Sequence, residues 1–408
     1  MQTQSDAEDW LRSHALLALR VNKLLTASAG GTLLIYRGPA EWSAEVDAEA
    51  PAAAGALVEE CARLLDEMPF TGTRRAHLAA QLRALRAAAG RAAGERLPLP
   101  EYSRECLGVA ATWQPESVFE AAHDRLDRAL PAGGGTLADR LHRWQRHHTL
   151  PAAHAERLPE LVRRAVAAAR ARTEAIVPLP PETRVECVLS PGAHRGHYAG
   201  GRRATVHISD SAPFNLADLL YVVTHEAFPG HIAESMLKEI HLVEEQGRTE
   251  HRVRFMISPS FVVSEGMGLH AQETAFPGDE AQRWLTDEIL APLGIAADGS
   301  DFAAIHDARN ALWGAWANAA FLAADGAPDA AIAGYLTRWA LTSEAESQFA
   351  LGFLRTPGMD TYVLGYYHGW RLLGPWLDHP DRTRRFRRLL TEPVLPADLD
   401  HAAERQPA

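Results

Sequence analysis

The chain of 408 residues has few cysteines, only two lysines and no long apolar run. Its three cysteines, Cys61, Cys106 and Cys187, are odd in number and far apart, which indicates reduced thiols rather than a disulfide framework. No stretch approaches the roughly 20 apolar residues that span a bilayer, and residues 1–10 are polar and acidic, unlike a signal peptide. We therefore expect a cytoplasmic protein without a membrane partner.

Acidic residues outnumber basic ones, with 52 Asp and Glu against 41 Lys and Arg, which gives a net charge of −11. This balance argues against nucleic acid and anionic membrane surfaces as partners. The chain is 47% hydrophobic and 23% charged, which is typical of a globular protein. Its length allows two domains or one large interwoven unit.

Helical periodicity dominates the first part of the chain, where apolar residues recur every three or four positions. It predicts helices at residues 7–25, 49–68, 74–91, 116–130, 137–146 and 158–177. A Pro-Leu-Pro-Pro stretch at 178–181 predicts a boundary between an all-helical N-terminal half, 1–178, and a second half, 179–408. We expect the two halves to pack together as one interwoven unit.

Two short stretches after this boundary, 185–189 and 204–209, alternate β-branched and polar residues. The predicted fold is therefore mainly α, with a small β segment at about 184–209 beside the helix described next. In this segment His197 and His207 are candidates to contact a substrate, because an edge strand can pair with an extended peptide. The alternative is an ordinary hairpin with polar residues facing outward.

The most informative stretch is Tyr-Val-Val-Thr-His-Glu-Ala-Phe-Pro-Gly-His at residues 221–231. It begins as a helix, called the motif helix below, because Asn215 is a suitable N-cap with Asp218 three residues later. Its apolar stripe consists of Leu216, Leu219, Leu220, Val223 and Ala227. A helix that is apolar nearly all round is buried, and a buried pair of His225 and Glu226 is costly unless another group satisfies it. A metal ion would do so.

Zinc proteases commonly place two histidines four residues apart, with a glutamate beside the first. Here His231 follows His225 by six residues, and on an unbroken helix it would point about 120° away. We interpret Pro229-Gly230 as an insertion that kinks the helix and returns His231 to the face of His225. The alternative is a helix that ends at Phe228, followed by a turn, with two unrelated histidines.

A catalytic zinc usually has three protein ligands and one open position, and Glu265 is the best third candidate. It lies on the apolar stripe of a helix predicted to begin at Ser258-Pro259. Gly266 and Gly268 flank it, each at a cost of about 1 kcal/mol relative to Ala, which indicates a close approach to the motif helix. The alternative is a poorly formed glycine-rich helix with solvated carboxylates.

Further polar residues surround these elements in the sequence. Glu273 lies about 80° off the stripe of Glu265, and we expect it, together with His270, to contact and orient the metal ligands. His147 and His148, with His154 nearby, could form a metal site, but they lie in a polar stretch without an acidic partner at suitable spacing, and we interpret them as solvated loop histidines.

The stretch from Arg355 to Arg371 is rich in tyrosine and follows a Pro-Gly pair. Tyr362 is the first candidate to stabilise an oxyanion, followed by Tyr366 and His368. Arg355 or Arg371 is a candidate to bind a substrate carboxylate through a two-pronged contact. The alternatives are aromatic residues of an ordinary core and plain surface charge.

Three stretches together resemble a bacterial family known as "domain of unknown function 885". Residues 225–231 resemble its His-Glu-x-x-Pro-Gly-His signature, and residues 264–273 resemble its Glu-Gly-Trp-Ala-Leu-Tyr-x-Glu element. Pro357-Gly358 with Tyr362-x-x-Gly365 resembles its Pro-Gly-Gln and Tyr-x-x-Gly element. The chain departs from these patterns at Ile232, Met267, His270 and Met359.

The resemblance is specific over roughly residues 184–371. It implies a relation to the helical zinc carboxypeptidases of the Taq type, within the thermolysin-like gluzincins. It also implies a mostly helical fold in which one zinc ion is held by His225, His231 and Glu265.

The sequence therefore predicts a zinc-dependent hydrolase that cleaves an amide or peptide bond, with a small peptide or amide-containing molecule as substrate. Glu226 is the predicted general base, acting on a water molecule activated by the metal. One alternative is a metal-dependent tailoring enzyme that acts on a small metabolite without peptide hydrolysis. Another is a non-catalytic helical protein with a structural metal site, which would require a fourth protein ligand.

Overall fold

Eighteen helices make up most of residues 2–27 and 30–399, the part of the chain that the computed structural model describes. The first eight are α1 (Gln2–Thr26), α2 (Ala40–Ala48), α3 (Ala54–Asp66), α4 (Gly72–Ala92), α5 (Leu99–Leu107), α6 (Glu116–Ala129), α7 (Leu137–His147) and α8 (Leu158–Glu174). The others are α9 (Leu219–Glu226), α10 (His231–Lys238), α11 (Pro259–Leu269), α12 (Ala271–Ala275), α13 (Glu280–Leu285), α14 (Phe302–Ala324), α15 (Asp329–Trp339), α16 (Glu344–Arg355), α17 (Met359–Leu377) and α18 (Arg382–Thr391). The prediction of a mainly α fold is confirmed.

Short 3-10 and π-helical turns extend or join several of these helices. The 3-10 turns are Ala152–Arg157, Leu216–Asp218, Thr249–Arg252, Ala291–Leu293 and Pro396–Leu399, and the π turns are Glu239–Glu244 and Thr286–Leu290. The predicted helix at 49–68 begins five residues late, at Ala54, because Pro51 restricts the residue before it to an extended conformation. The sequence patterns did not predict α2 and α5.

Five short strands form two small sheets. The strands are β1 (Leu34–Tyr36), β2 (Arg184–Ser190), β3 (Arg195–Gly200), β4 (Arg203–Ser209) and β5 (Val253–Phe255). In the larger sheet β4 is central, paired in parallel with β2 and antiparallel with β3, so that β3 forms one edge. The small β segment predicted at about 184–209 is confirmed. Its edge strand β3 was not predicted, because two glycines in Arg-Gly-His-Tyr-Ala-Gly mask the alternation.

Two apolar cores hold the helices together. The first core lies among α6–α10, the larger sheet, α12, α13 and α18, and the second lies among α1, α3–α5, the β1–β5 pair, α15 and α16. Helices α11, α14, α15 and α17 contribute side chains to both cores. Each core therefore contains residues from before and after position 178. Across residues 2–27 and 30–399 no helix is both long and apolar enough to cross a membrane.

Helices α11 and α17 cross with their backbones in contact. A Cβ atom added to Gly266 would lie 2.4 Å from the carbonyl carbon of Gly369. One added to Gly369 would lie 2.2 Å from the carbonyl oxygen of Val262. This crossing brings the acidic residue of α11, Glu265, against the tyrosines of α17.

Candidate metal centre

The motif helix is broken between the two histidines. Helix α9 ends at Glu226 and α10 begins at His231, and between them the Phe228–Pro229 peptide bond is cis. A Cβ atom at Gly230 would lie 1.8 Å from the carbonyl oxygen of His225, so only glycine fits there. Across this break the Nε2 atoms of His225 and His231 lie 3.1 Å apart.

The start of the motif helix is anchored to α14. The side chain of Asn215 caps it by accepting a hydrogen bond from the backbone N–H of Ala217 at 3.1 Å. Asp218 does not complete a capping box, because its carboxylate accepts from Arg309 at 2.7 Å and contacts His306 at 2.9 Å. Although burial raises the pKa of Asp218, these two groups hold it well below its usual value. The carboxylate is therefore charged and fixes the helix in place.

Glu265 of α11 faces both histidines. Its Oε2 atom lies 3.3 Å from His225 Nε2, and its Oε1 atom lies 3.4 Å from His231 Nε2. The hydroxyl of Tyr362 donates a hydrogen bond to Oε1. Glu265 is only 2% exposed, and Oε2 has no hydrogen-bond partner among the described residues. A buried carboxylate oxygen without a partner is costly unless a cation is bound to it.

The charges of these groups stabilise one another. Although burial raises the pKa of Glu265, the imidazoles of His231 and His225 hold it well below its ordinary value. Burial lowers the pKa of His231, but the carboxylates of Glu265, Glu226 and Glu234 together have the larger effect and raise it to about 9. The pocket therefore stabilises a negative charge on Glu265 opposite a positive charge, and a bound metal cation would supply such a positive charge.

The donor set fits zinc. One potential ligand atom from each of His225, His231 and Glu265 lies within 4.8 Å of the others. Two imidazole nitrogens and one carboxylate are the ligand types that zinc prefers in catalytic sites. Within residues 2–27 and 30–399 no fourth histidine, cysteine or acidic residue joins this group.

The two glycines beside Glu265 have different roles. A Cβ atom at Gly268 would lie 2.6 Å from the ring of His225, so this glycine allows the predicted close approach to the motif helix. Gly266 instead faces Gly369 of α17. The close approach to the motif helix is therefore made at Gly268, whereas Gly266 serves the crossing with α17, since residues two apart point to different sides of a helix.

His231 is held by a series of buried polar residues that the sequence analysis did not predict. His231 Nδ1 lies 3.1 Å from the hydroxyl of Ser264, which donates to Glu234 at 2.5 Å. Glu234 also accepts from Lys238 at 2.6 Å and from Arg254 at 2.9 Å. Although burial raises the pKa of Glu234, Arg254 and Lys238 hold it well below its usual value. The spacing of Glu234 and Lys238 by four residues was the available signal.

The edge strand β3 holds Glu226. Its Oε2 atom accepts a hydrogen bond from the backbone N–H of Gly196 at 2.7 Å. A Cβ atom at Gly196 would lie 2.0 Å from the carbonyl oxygen of Glu226, so the strand approaches the motif helix only through glycine. Sequence reasoning missed Gly196. In the same sheet His197 is exposed, and His207 lies near Ser190 Oγ at 3.4 Å.

Helix α17 brings two of its three predicted residues close to Glu265, namely Tyr362 and Tyr366. Tyr362 donates to Glu265, and its pKa is raised well above the usual value by burial and by that carboxylate. Tyr366 meets the ring of Tyr362 edge to face at 5.6 Å. His368 instead lies against the ring of Tyr367 at 5.6 Å, and burial lowers its pKa to about 4.

The two predicted arginines have partners within the protein. Arg355 forms an exposed ion pair with Asp329. Arg371 donates to the side-chain oxygen of Gln114 at 3.2 Å and lies over the ring of Tyr367 at 5.7 Å. Neither contact places a guanidinium group beside the predicted ligands.

Glu273 and His270 do not contact the predicted ligands in the way the sequence suggested. Glu273 accepts from the backbone N–H of Gly278 at 3.3 Å, and His270 lies 3.0 Å from the carbonyl oxygen of Trp370. The physical reason is that α11 ends at Leu269 and α12 begins at Ala271, so the helical angle from Glu265 does not continue to Glu273. Both residues line a cavity of about 340 Å³.

Comparison with known proteins bears on the fold alone. Neither a family model nor a curated protein matches the chain. A solved structure of a candidate lipoprotein from Colwellia psychrerythraea is similar, with a TM-score of 0.52 and 15% identity. The match covers 87% of this chain and 68% of that one. At this identity the likeness extends to the fold, and the resemblance of the three motifs to a family stays a prediction.

Proposed function

We propose that this protein is a zinc-dependent hydrolase that cleaves an amide or peptide bond. The observation that carries the proposal is the convergence of His225, His231 and Glu265, with one ligand atom from each within 4.8 Å of the others. The Oε2 atom of Glu265 is buried and accepts no hydrogen bond from the described residues, with His225 Nε2 3.3 Å away, and this supports a bound cation at the same place.

The number of ligands favours a catalytic site over a structural one. Structural zinc sites are normally closed by four protein ligands, whereas catalytic sites have three and an open position. In the described ranges, 2–27 and 30–399, the group contains three potential ligands. His270 and Glu273, the fourth ligands that the structural alternative would need, have partners elsewhere.

Glu226 is suited to the role of general base. Bound zinc would supply the Lewis acid that lowers the pKa of a water molecule toward neutrality. Gly196 donates its backbone N–H to Oε2 of Glu226, which orients the carboxylate and leaves Oε1 to accept a proton. Glu226 would then deliver that proton to the leaving amine.

We assign the stabilisation of the oxyanion to Tyr366 of α17. The hydroxyl group of Tyr362 already donates a hydrogen bond to Glu265, a proposed metal ligand, so it is not available to an oxyanion. Burial and the nearby carboxylates of Glu265 and Glu226 raise the pKa of Tyr366 well above its usual value. A phenol that keeps its proton at neutral pH can donate a hydrogen bond to a developing oxyanion.

Metal content is the first test. Tag-free protein dialysed against zinc is analysed by plasma mass spectrometry for wild type, His231→Ala and Glu265→Ala. We expect each variant to lose about one zinc per chain relative to wild type, because three ligands are needed to hold the ion. Equal zinc in all three proteins would contradict the proposed site.

Glu226→Gln separates binding from catalysis. Glutamine keeps an oxygen to accept the Gly196 N–H but cannot accept the proton, so we expect full zinc content and a turnover reduced by about 10²–10⁴-fold. Turnover is measured against peptides, small amides and esters. Undiminished activity of the variant would contradict the role of Glu226, and inertness of wild type toward every peptide would favour a tailoring reaction.

A further inference from the structure

We propose a second metal site, formed by His147, His148 and Asp298, that binds a divalent transition metal such as Zn²⁺. One potential ligand atom from each of these residues lies within 4.8 Å of the others. His147 is the last residue of α7, His148 follows it, and Asp298 lies in the loop before α14. No residue of this group belongs to the centre formed by His225, His231 and Glu265.

His148 is buried and has a free ring nitrogen. It is 1% exposed, so the sequence-based interpretation of a solvated loop histidine is wrong for this residue. Its Nδ1 atom lies 2.9 Å from the carbonyl oxygen of Trp144. A carbonyl only accepts, so Nδ1 carries the proton and Nε2 keeps its lone pair. Among the described residues Nε2 has no hydrogen-bond partner, which is a cost that a bound metal would remove.

His147 has the complementary arrangement. Its Nε2 atom lies 2.8 Å from the carbonyl oxygen of Ala296, so Nε2 carries the proton and Nδ1 keeps its lone pair. Metal-binding histidines typically donate their other ring N–H to a carbonyl or carboxylate in this manner, which fixes the tautomer and the ring. Each of the two adjacent histidines therefore keeps one ring nitrogen with a lone pair that a metal could use.

Asp298 provides the carboxylate. Its Oδ1 atom accepts from the backbone N–H of Ser300 at 3.0 Å and from the Ser300 hydroxyl at 2.5 Å. These contacts hold the side chain and leave its second oxygen available. The acidic partner that the sequence lacked near the two histidines thus comes from a distant part of the chain.

The surroundings favour a cation. His148 follows the C-terminal end of α7, where the helix dipole attracts positive charge. The rings of Trp144 and Phe302 contact the ring of His148 at 5.3 Å and 5.0 Å and fix its orientation.

The ligand types indicate the class of metal. Two imidazoles and one carboxylate suit Zn²⁺ and related ions such as Ni²⁺ and Cu²⁺, rather than Ca²⁺ or Mg²⁺. The side chain of His147 is exposed, so an ion can reach the site from solvent. Bound metal would link the end of α7 to the loop before α14.

The test is zinc stoichiometry by plasma mass spectrometry on the tag-free full chain, after dialysis against zinc and removal of the excess. We expect about two zinc ions in wild type, about one in His147→Ala and about one in His231→Ala. His147 is exposed, so its loss does not endanger folding. His154→Ala is the matched control from the same segment and should keep the wild-type amount. Asp298→Asn keeps an acceptor for Ser300 and should also lose about one zinc.

The variants separate this site from the proposed catalytic one. If His147→Ala and Asp298→Asn both hold as much zinc as wild type, the second site is overturned. A single zinc that is lost in His231→Ala and kept in His147→Ala overturns the second site and leaves the proposed function intact. A single zinc that is lost in His147→Ala and kept in His231→Ala supports the second site and contradicts the proposed function.

Discussion

At the scale of single residues, the candidate centre depends on glycines as much as on ligands. Gly268 leaves room for the ring of His225, Gly230 for the carbonyl group of His225, and Gly196 for the carbonyl group of Glu226. Each of these contacts would be closer than 3 Å if a Cβ atom were present. His225 and Glu226 can therefore occupy their positions only because these three neighbours are glycines, which have no side chain.

Gly268→Ala should weaken metal binding at the centre formed by His225, His231 and Glu265. The added methyl group would meet the His225 ring at 2.6 Å and displace it, and we expect zinc affinity to fall by about 10–100-fold. Competition with a chelator measures the affinity. Gly334→Ala is the matched control, because a Cβ atom at that helical position would meet no described atom within 4 Å beyond its own stretch of helix. An unchanged affinity in Gly268→Ala would show that the ring can move without loss of the ligand geometry.

His14→Phe should reduce the acid sensitivity of folding. Burial lowers the pKa of His14 from 6.5 to about 4. Above pH 6.5 the ring is neutral in both states and adds no pH dependence. As the pH falls from 6.5 to 4, only the unfolded chain binds the proton, so the free energy of unfolding decreases by about 3 kcal/mol.

Phenylalanine can keep the stacking on Trp10, whose ring lies 5.7 Å from that of His14, without a titrating group. Urea unfolding of both proteins at several pH values between 7 and 4 measures the difference. The free energy of unfolding should fall less steeply in the variant. Parallel pH profiles would contradict this assignment of the acid sensitivity to His14.

At the scale of elements, helix breaks and helix crossings decide which residues meet. The break between α9 and α10 brings His231 to His225, and the break between α11 and α12 takes Glu273 away from Glu265. The crossing of α11 and α17 brings Tyr362 to Glu265. The centre is thus assembled by two breaks and one crossing.

Gly369→Ala should weaken the crossing of α11 and α17. The new methyl group would lie 2.2 Å from the carbonyl oxygen of Val262, and overpacking of this kind costs about 1–3 kcal/mol. Chemical denaturation measures the loss. Gly352→Ala on α16 is the control, because its Cβ atom would meet no atom of the described residues within 4 Å outside its own helical turns, and it should instead gain up to about 1 kcal/mol from helix propensity. If both variants are equally stable, the backbone contact is not the constraint.

At the scale of the whole molecule, the parts before and after position 178 are tied together by polar contacts as well as by both cores. Arg74 donates two hydrogen bonds to the buried carboxylate of Glu250, at 2.8 Å and 2.7 Å. Gln114 and Asn318 exchange hydrogen bonds at 2.8 Å. In addition, β1 pairs with β5. Loss of one half would leave these buried polar groups of the other half unpaired.

The chain should therefore unfold in one cooperative transition. Differential scanning calorimetry tests this expectation, because calorimetric and van't Hoff enthalpies agree only when no intermediate is populated. Metal-free protein is used, so that loss of zinc does not add a separate step. Two resolved transitions would mean that the halves are stable independently of one another.

The sequence by itself predicted the fold class and the candidate metal ligands. Helical periodicity and the β-branched stretches are local patterns, and they indicated most helices and the small sheet. The Pro229-Gly230 insertion is likewise local, and it indicated that the second histidine returns to the first. Glu265 was nominated because it is an acid on an apolar stripe between two glycines.

Only the tertiary structure decided which distant segments meet. Gly196 reaches Glu226, Tyr362 reaches Glu265, and Asp298 reaches the two histidines at the end of α7. The tertiary structure also places Glu273 away from the centre, because Glu273 follows a helix break that its spacing in the sequence did not reveal. Sequence spacing gives distances only within one continuous element, whereas contacts between elements depend on how their surfaces pack.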